Sequence, residues 1–186
     1  MWDPETYEIA SWADMDETGA TISHLPGALY VDYLVGTGLV SRIQLDDSYD
    51  GSATRFIAED GALVQEGTVT RDPFNYVTYF DDWSRPVQSL LIHEAGYVNY
   101  DSPLVVLDER LDDRASSCLR AFVPLIQQSV VGFQEDPTVT NRLIRDIVSD
   151  LDSEWKVTEA SVFDTVLRMG TEGVVSNGTD LSLIHI

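Results

Sequence analysis

The stretch ATISHLPGALYVDYLVGTG, residues 20–38, decides how the rest of the chain is interpreted. Residues 20–25 predict a short β-strand, and the Pro-Gly pair at 26–27 predicts a turn. A helix is expected to begin near Ala28 and to end at Gly36 or Gly38, because glycine is common just past the end of a helix. The stretch therefore predicts a strand–turn–helix unit of an α/β sheet.

The N-terminus of this predicted helix is the first candidate for a ligand-binding site. The first backbone N–H groups of a helix have no partner within it, and here they would point over the carboxyl end of the strand, where α/β sheets usually hold ligands. The residues concerned are Gly27, Ala28 and Tyr30. The alternative is a plain connection in which Leu29, Tyr30, Tyr33 and Leu34 form a packing face.

Composition limits the partners of the chain. Its 186 residues carry 32 acidic and 11 basic side chains, a net charge of −21, and 44% of them are hydrophobic. We expect a folded protein without a nucleic-acid partner, since phosphate contacts need clustered Lys and Arg. Anionic membranes should repel the chain, and it contains no apolar run long enough to span one. The single cysteine, Cys118, excludes an internal disulfide and CxxC sites. We expect no metal and no cofactor.

Both ends of the sequence suggest a piece of a longer chain. The N-terminal MWDPE lacks the basic and apolar regions of a signal peptide, so either the protein is cytosolic or its true N-terminus precedes this sequence. The C-terminal LSLIHI, residues 181–186, matches the translation of a sequencing-library adapter. We therefore expect the natural chain to continue differently past Asp180, and we leave LSLIHI out of functional reasoning.

A second helix is expected after the first α/β unit. Residues 1–18 have no clear period and are interpreted as an irregular lead-in. Ser52 is a candidate N-cap of the second helix, with Phe56 and Ile57 facing the core. Gly61 would end this helix.

Strands are expected in the segments that follow. Residues 62–70 alternate enough to predict a strand, which Pro73 would stop. Residues 76–85 are aromatic and acidic and are interpreted as a loop. Further apolar strands are expected at 88–92 and 103–107, which completes a pattern typical of an α/β sheet.

The C-terminal part changes to helical periodicity. A proline is tolerated in the first turn of a helix, so Pro124 places the start of the first of three helices near Leu119 or later. Residues 136–137, Asp-Pro, open the second helix; Thr158 caps the third, which Gly170 closes. The residues expected to be buried are Leu119, Phe122, Val123, Ile126, Val130, Phe133, Leu143, Ile144, Ile147, Val148, Leu151, Val162, Phe163, Val166 and Met169.

His93 and Glu94, at the end of a predicted strand, form the most catalytic-looking pair. With His24 they could ligate a metal or transfer protons, but their spacing matches no H-E-x-x-H pattern. No serine or cysteine nucleophile lies on a recognisable turn. We therefore predict that these residues form hydrogen bonds or line a pocket and that the protein is not an enzyme. Arg55 and Arg71 could balance an anionic ligand, and surface ion pairs are the alternative.

Five segments carry a family resemblance when they are taken together: LPGALYVDYLVGTGLV, SYDGSATRFIAEDGALVQEGTVTRDPFNYV, PVQSLLIHEAGYVNYDSPLVV, CLRAFVPLIQQSVVGFQEDPTVTNRLI and EGVVSNG. In this order they resemble the ABC-transporter substrate-binding proteins of the nitrate/sulfonate/bicarbonate and pyrimidine-precursor type. The resemblance covers residues 19–180 and is spread over many positions rather than resting on one short pattern.

The resemblance implies an α/β periplasmic-binding-protein fold of type II, in which two lobes close on a small-molecule ligand. Residues 19–100 would form most of the second lobe, and 101–180 the crossover and the helical part of an incomplete first lobe. The implied protein is the extracytoplasmic solute-binding component of an ABC importer, periplasmic or lipid-anchored at the cell surface. It would bind an anion or a pyrimidine-like molecule between its lobes and deliver it to the membrane permease subunits. The residues implied to contact the ligand are Gly27, Ala28, Tyr30, Tyr49, Ser52, Arg71, Asp72, His93 and Glu94.

Two other functions remain open. An enzyme of the same fold makes the thiamine pyrimidine precursor, and His24 or His93 would be the suspects there; Cys118, on a predicted helix far along the chain, does not support an iron-binding His/Cys cluster. A ligand-sensing module would need a linked transmembrane or signalling segment. A lobe lacking strands would expose sheet edges, so the fragment by itself is expected to aggregate or to stay partly unfolded.

Overall fold

The computed structural model describes residues 1–99, 104–151 and 156–174. The chain divides into two compact units, Met1–Asn99 and Tyr100–Ile186, which we call unit 1 and unit 2. Unit 1 contains a β-sheet with helices, and the described part of unit 2 is helical. The segment LSLIHI lies outside the described residues.

Unit 1 is built on a three-stranded parallel sheet with the strand order β2-β1-β3. In this sheet Ile22 is in register with Leu45 on one side and with Val64 on the other. Parallel strands require crossover connections, and a helix supplies each of them, so the predicted α/β class is confirmed. The elements in chain order are β1 (Ile22–Ser23), α1 (Leu29–Gly36), β2 (Leu45–Asp46), α2 (Thr54–Ala58), β3 (Val64–Gln65) and α3 (Asp72–Thr78).

The predicted strand–turn–helix unit is present, with a shorter strand than expected. Ala28 is the N-cap residue of α1, and the helix ends at Gly36, as predicted. The predicted packing face is partly wrong, because Leu29 is 76% exposed and Val31 is buried together with Leu34. Residues three apart share one face of a helix, so Val31 and Leu34 set the buried direction of α1.

Hydrophobic packing covers both faces of this sheet. Ile22 and Val64 lie side by side in cluster A, which α1 joins through Leu34. Side chains alternate along a strand, so Leu63 points to the opposite face, where it packs in cluster B with Phe56 of α2. With both faces covered, the ends of the strands are where a ligand can reach the sheet. The buried members of cluster A are Trp2, Ile9, Met15, Ala20, Ile22, Leu34, Val40 and Val64, and those of cluster B are Phe56, Leu63, Tyr76 and Trp83.

The lead-in segment packs into unit 1. It is irregular apart from a short 3-10 helix at Trp12–Asp14, and it buries Trp2, Ile9 and Met15 in cluster A. The backbone of Trp2 pairs with Gln88 through two N–H to C=O hydrogen bonds of 3.0 Å. These contacts are long-range in sequence, and no periodicity of the lead-in indicates them.

A helix covers the first three residues of the loop predicted at 76–85, and the rest of that segment is non-helical as predicted. The strand predicted over 62–70 ends at Gln65, and α3 follows after a turn. The prediction that Pro73 only stops a strand was wrong, because Pro73 lies in the first turn of α3. Proline has no backbone N–H to donate, and its φ is fixed. In the first turn of a helix the N–H groups have no acceptor within the helix, and the fixed φ of proline suits the helix, so proline is tolerated there.

Two other predicted strands are wrong as well. Residues 88–92, all of them described, form only the single bridge of Gln88, and Ile92–Ala95 is a 3-10 helix. The first residue of the predicted strand 103–107 lies outside the described residues, and the others have no regular structure. Leu90 packs against cluster A. An apolar run can thus be buried by side-chain packing without forming a strand.

Unit 2 contains the three predicted helices, α4 (Asp113–Glu135), α5 (Thr138–Asp150) and α6 (Glu159–Thr171). The predicted start of α4 was wrong, because Pro124 lies inside it; the loss of one backbone hydrogen bond is tolerated within so long a helix. The predicted cap of α6 is confirmed, since the Thr158 hydroxyl accepts a 3.2 Å hydrogen bond from Ser161 N. Gly170 does not close α6 but lies within it, and Gly173, with φ +67°, follows its end. None of the described helices combines the length and the apolar character that a membrane span requires.

The predicted apolar stripes of unit 2 are mostly not buried. Val166 is buried at 8% exposure, whereas Phe163 is 64% exposed and Leu151 is 70% exposed. The prediction that these stripes form a core was therefore wrong for the exposed residues. Helical periodicity identifies which face of a helix is apolar but not what covers that face. The exposed members are Phe122, Val123, Ile126, Leu143, Ile144, Ile147, Leu151 and Phe163.

Replacing Gly61 by alanine is expected to lower the free energy of unfolding by about 2 kcal/mol. Gly61 has φ +72°, and a Cβ there would lie 2.7 Å from the Cβ of Asp3 and 2.8 Å from the Trp83 ring. Gly51→Ala is the matched control: Gly51 has φ +87° but nothing within 4 Å, so only backbone strain of about 1 kcal/mol is expected. Urea unfolding of the two variants checks this, and equal losses would contradict the close contact at Gly61.

Candidate functional site

The segments that follow the three strands meet at one edge of the sheet, because parallel strands all end on the same side. These segments are residues 24–28 after β1, 47–53 after β2 and 66–71 after β3. We call these segments the carboxyl edge. The name also covers Asp46, at the end of β2, and the residues of α1 and α3 that contact the segments. From the central strand β1 the chain passes through α1 to β2 on one side, and then through α2 to β3 on the other side. Open α/β sheets hold ligands beside such a reversal of the strand order.

Glu66 joins two segments of the carboxyl edge through hydrogen bonds. Its Oε2 accepts hydrogen bonds from the backbone N–H of Leu25, at 2.7 Å, and from the hydroxyl of Tyr30, at 2.8 Å. The end of β3 is thereby bound to the turn between β1 and α1. Sequence analysis missed Glu66 because the strand was expected to continue to residue 70. A prediction that the strand ends at Gln65 would have identified Glu66 as a candidate, since the first residues past a strand lie at the carboxyl edge.

The turn between β1 and α1 contains three of the predicted ligand residues. Gly27 has φ +76°, a conformation that favours glycine, and Ala28 begins α1. Tyr30 lies on the first turn of α1, and burial followed by the Glu66 carboxylate raises the pKa of its hydroxyl. His24 is buried, and its Nδ1–H donates to the carbonyl oxygen of Leu25 at 2.9 Å. The structure therefore brings these residues together at the carboxyl edge.

Asp46, at the end of β2, is held by an arginine and a serine. Its carboxylate accepts from Arg55 Nη1 at 2.6 Å and from Ser48 N at 2.9 Å. Hydrogen bonding to Ser48, followed by that to Arg55, lowers the pKa of Asp46 to about 2. Arg55 also pairs with Glu59 at 2.7 Å, so its guanidinium is engaged by two carboxylates. Arg55 therefore forms ion pairs, which is the alternative to balancing the charge of an anionic ligand.

Replacing Asp46 by asparagine is expected to flatten the pH dependence of the free energy of unfolding in acid. The pKa of Asp46 in the folded protein lies below its ordinary value of 3.8. Ionised Asp46 therefore stabilises the fold above about pH 4, and this contribution is lost as the pH falls toward about 2. Urea unfolding across this range checks the prediction, with Asp47→Asn, which removes a neighbouring exposed carboxylate, as the matched control. A wild-type slope in Asp46→Asn would contradict it.

Tyr49, Arg71 and Asp72 also lie at the carboxyl edge. Asp72 is buried, and it accepts from Arg71 Nε at 2.6 Å and from the backbone N–H of Thr68 at 2.7 Å. Burial, with the nearby Asp72 and Glu66 carboxylates, raises the pKa of the half-buried Tyr49 to about 12. Tyr49 thus lies within electrostatic range of Asp72, Arg71 and Glu66. The structure brings these three predicted residues close to one another.

Ser52 lies on the same segment as Tyr49 but does not cap α2. The N-cap residue is Ala53, so the prediction that Ser52 fills this role was wrong. The Ser52 hydroxyl accepts a long contact of 3.4 Å from Thr54 N, while its own N–H donates to Asp50 at 2.9 Å. The carboxylate of Asp50 thus organises this turn, as aspartate often does in turns.

His93 and Glu94 do not follow a strand, contrary to the prediction. They lie in the 3-10 helix Ile92–Ala95, where the carboxylate of Glu94 accepts from Leu91 N at 3.0 Å. This helix is joined to α1 by the Tyr33 hydroxyl, which donates to the carbonyl of Ala95 at 3.1 Å. The placement of His93 and Glu94 thus depends on tertiary packing rather than on the end of a strand.

Aromatic and acidic side chains lie together at the carboxyl edge. It combines two tyrosine rings, Tyr30 and Tyr49, with hydrogen-bond acceptors from the carboxylates of Glu66 and Asp72. Within the described residues, no three His, Cys, Asp or Glu side chains are grouped so that they could hold a metal ion. Protein-family models, curated proteins and solved structures were compared with the chain, and none matches it.

Proposed function

We propose that the chain is the solute-binding component of an ABC importer, or a part of one, and that it binds an anion or a pyrimidine-like molecule. The observation that carries this proposal is the convergence of Tyr30, Tyr49, Glu66 and Asp72 at the carboxyl edge. This is the edge at which open α/β sheets hold ligands. The sequence resemblance supports the same class of protein and the type II periplasmic-binding-protein fold.

Binding alone explains this activity, and no covalent step is needed. A ligand that contacts one conformation of the protein better than another shifts the population toward it by the difference in affinity. The membrane permease subunits would then recognise the ligand-bound conformation. The protein would accordingly be periplasmic or lipid-anchored at the cell surface, and it would not be an enzyme.

A thermal-shift screen tests this function. The full natural protein is heated with nitrate, sulfonates, bicarbonate or thiamine-type pyrimidines, and its unfolding midpoint is measured. A ligand present at about 100 times its dissociation constant stabilises the folded state by roughly 2.7 kcal/mol, which is readily visible. We expect a shift with one class of compound and no turnover of it. No shift with any class would contradict the proposal, and consumption of a pyrimidine would favour the enzyme.

Matched variants locate the binding site. Tyr49→Ala removes a half-buried ring from the carboxyl edge, and we expect it to abolish the ligand-induced shift. Ile43→Ala is the control, since Ile43 is 94% exposed and lies before β2, away from the strand's carboxyl end. An equal ligand-induced shift in both variants would place the binding site elsewhere.

A further inference from the structure

The turn between β1 and α1 has the features of an anion-binding position. A backbone N–H and a hydroxyl that both donate to one place favour a negative charge there. In this turn the Leu25 N–H and the Tyr30 hydroxyl donate to the same oxygen, Glu66 Oε2, at 2.7 and 2.8 Å. The negative charge that these two donors bind is therefore the carboxylate of Glu66, a residue of the same protein that lies far along the chain.

The arginines of the carboxyl edge are already engaged by carboxylates. Arg55 pairs with Asp46 at 2.6 Å and with Glu59 at 2.7 Å. Arg71 pairs with Asp72 at 2.6 Å. An anionic ligand entering beside Glu66 would therefore meet like charge without a new cationic partner from either arginine.

We infer that Glu66 is a specificity-determining residue: its carboxylate occupies the anion position of the β1–α1 turn and restricts the site to ligands that are uncharged or positively charged there. The inference rests on the proposed function for the existence of a ligand. It favours the pyrimidine-like class over nitrate, sulfonates and bicarbonate. The occupied anion position itself can be tested without knowledge of the ligand.

Glu66→Ala empties this position and leaves two donors for an external carboxylate. We expect about 0.1 M sodium acetate to raise the unfolding midpoint of Glu66→Ala by about 3 °C relative to chloride at equal ionic strength. The acetate-induced shift of the unfolding midpoint should be below about 1 °C in the wild type and in two control variants. In Glu66→Gln the amide still fills the position, and Asp47→Ala removes an exposed carboxylate. An acetate effect in Glu66→Ala no larger than in Asp47→Ala would overturn the inference.

If Glu66→Ala is unfolded in chloride, acetate should restore its folded circular-dichroism signal, and failure to do so would likewise overturn the inference. The ligand screen gives the second readout. Wild-type binding of nitrate, a sulfonate or bicarbonate through Tyr49 would refute the selectivity of Glu66 while leaving the binding function intact. Rescue by acetate without any ligand in the screen would instead leave the anion position intact and refute the proposed function.

Discussion

Replacing Phe56 by alanine is expected to lower the free energy of unfolding by about 4 kcal/mol. The Phe56 side chain is 0% exposed, and its ring centroid lies 5.1 Å from that of Tyr76 and 4.9 Å from that of Trp83. Truncation removes the transfer free energy of the ring, its aromatic contacts and the filling of the space. For a unit of this size, the unfolding midpoint should fall by roughly 20 °C.

Phe56→Leu is the matched control, because it keeps most of the apolar volume and should lower the free energy of unfolding by about 1.5 kcal/mol. Thermal unfolding followed by circular dichroism and by tryptophan fluorescence measures both variants, and Trp83, one of the four tryptophans, lies in cluster B. Similar losses for alanine and leucine would show that cluster B is not packed as described. Cluster B also supports the carboxyl edge, because the Gln65 amide donates to the Tyr76 hydroxyl at 3.0 Å. The ligand-induced shift should therefore weaken in Phe56→Ala.

Replacing Arg85 by methionine is expected to lower the free energy of unfolding by about 3 kcal/mol. Arg85 Nη2 lies 3.0 Å from Asp3 Oδ2, and the Asp3 side chain is only 2% exposed. Removing the guanidinium leaves a buried carboxylate without its cation, and it also removes the stacking of Arg85 on Trp83 at 3.8 Å. Arg85 itself is one-third exposed, so the loss should not reach the upper end known for buried pairs.

Asp60→Asn is the control for this ion pair. Asp60 lies 2.6 Å from Arg85 but is 86% exposed, so its loss should lower the free energy of unfolding by less than about 1 kcal/mol. The double variant Arg85→Met/Asp3→Asn should recover part of the stability lost in Arg85→Met, since the uncompensated charge is gone. Urea unfolding of the wild type, Arg85→Met, Asp3→Asn and the double variant forms a double-mutant cycle for Arg85 and Asp3. Strict additivity in this cycle would contradict the buried pair.

Local signals predicted the parts of the protein that depend on neighbouring residues. The Pro-Gly turn indicated the N-cap of α1 at Ala28, and Thr158 indicated the N-cap of α6, because capping and turn formation involve residues a few positions apart. The candidate site at the first turn was predicted in the same way, from Gly27 and Tyr30, and its ligand-binding role stays a prediction. Asp72 and Pro73 indicate a helix start, but Pro73 was interpreted only as the end of the strand predicted over 62–70.

The sequence by itself determined the α/β class, the strand–turn–helix unit after residue 20 and the helices of unit 2, since each is encoded by contacts within a few residues. Only the tertiary structure decided the order β2-β1-β3, the burial of Trp2 and the bond from Tyr30 to Glu66. These features join residues tens of positions apart, and periodicity carries no information about such partners. Which residue occupies the anion position is therefore a property of the folded sheet edge and not of any one segment.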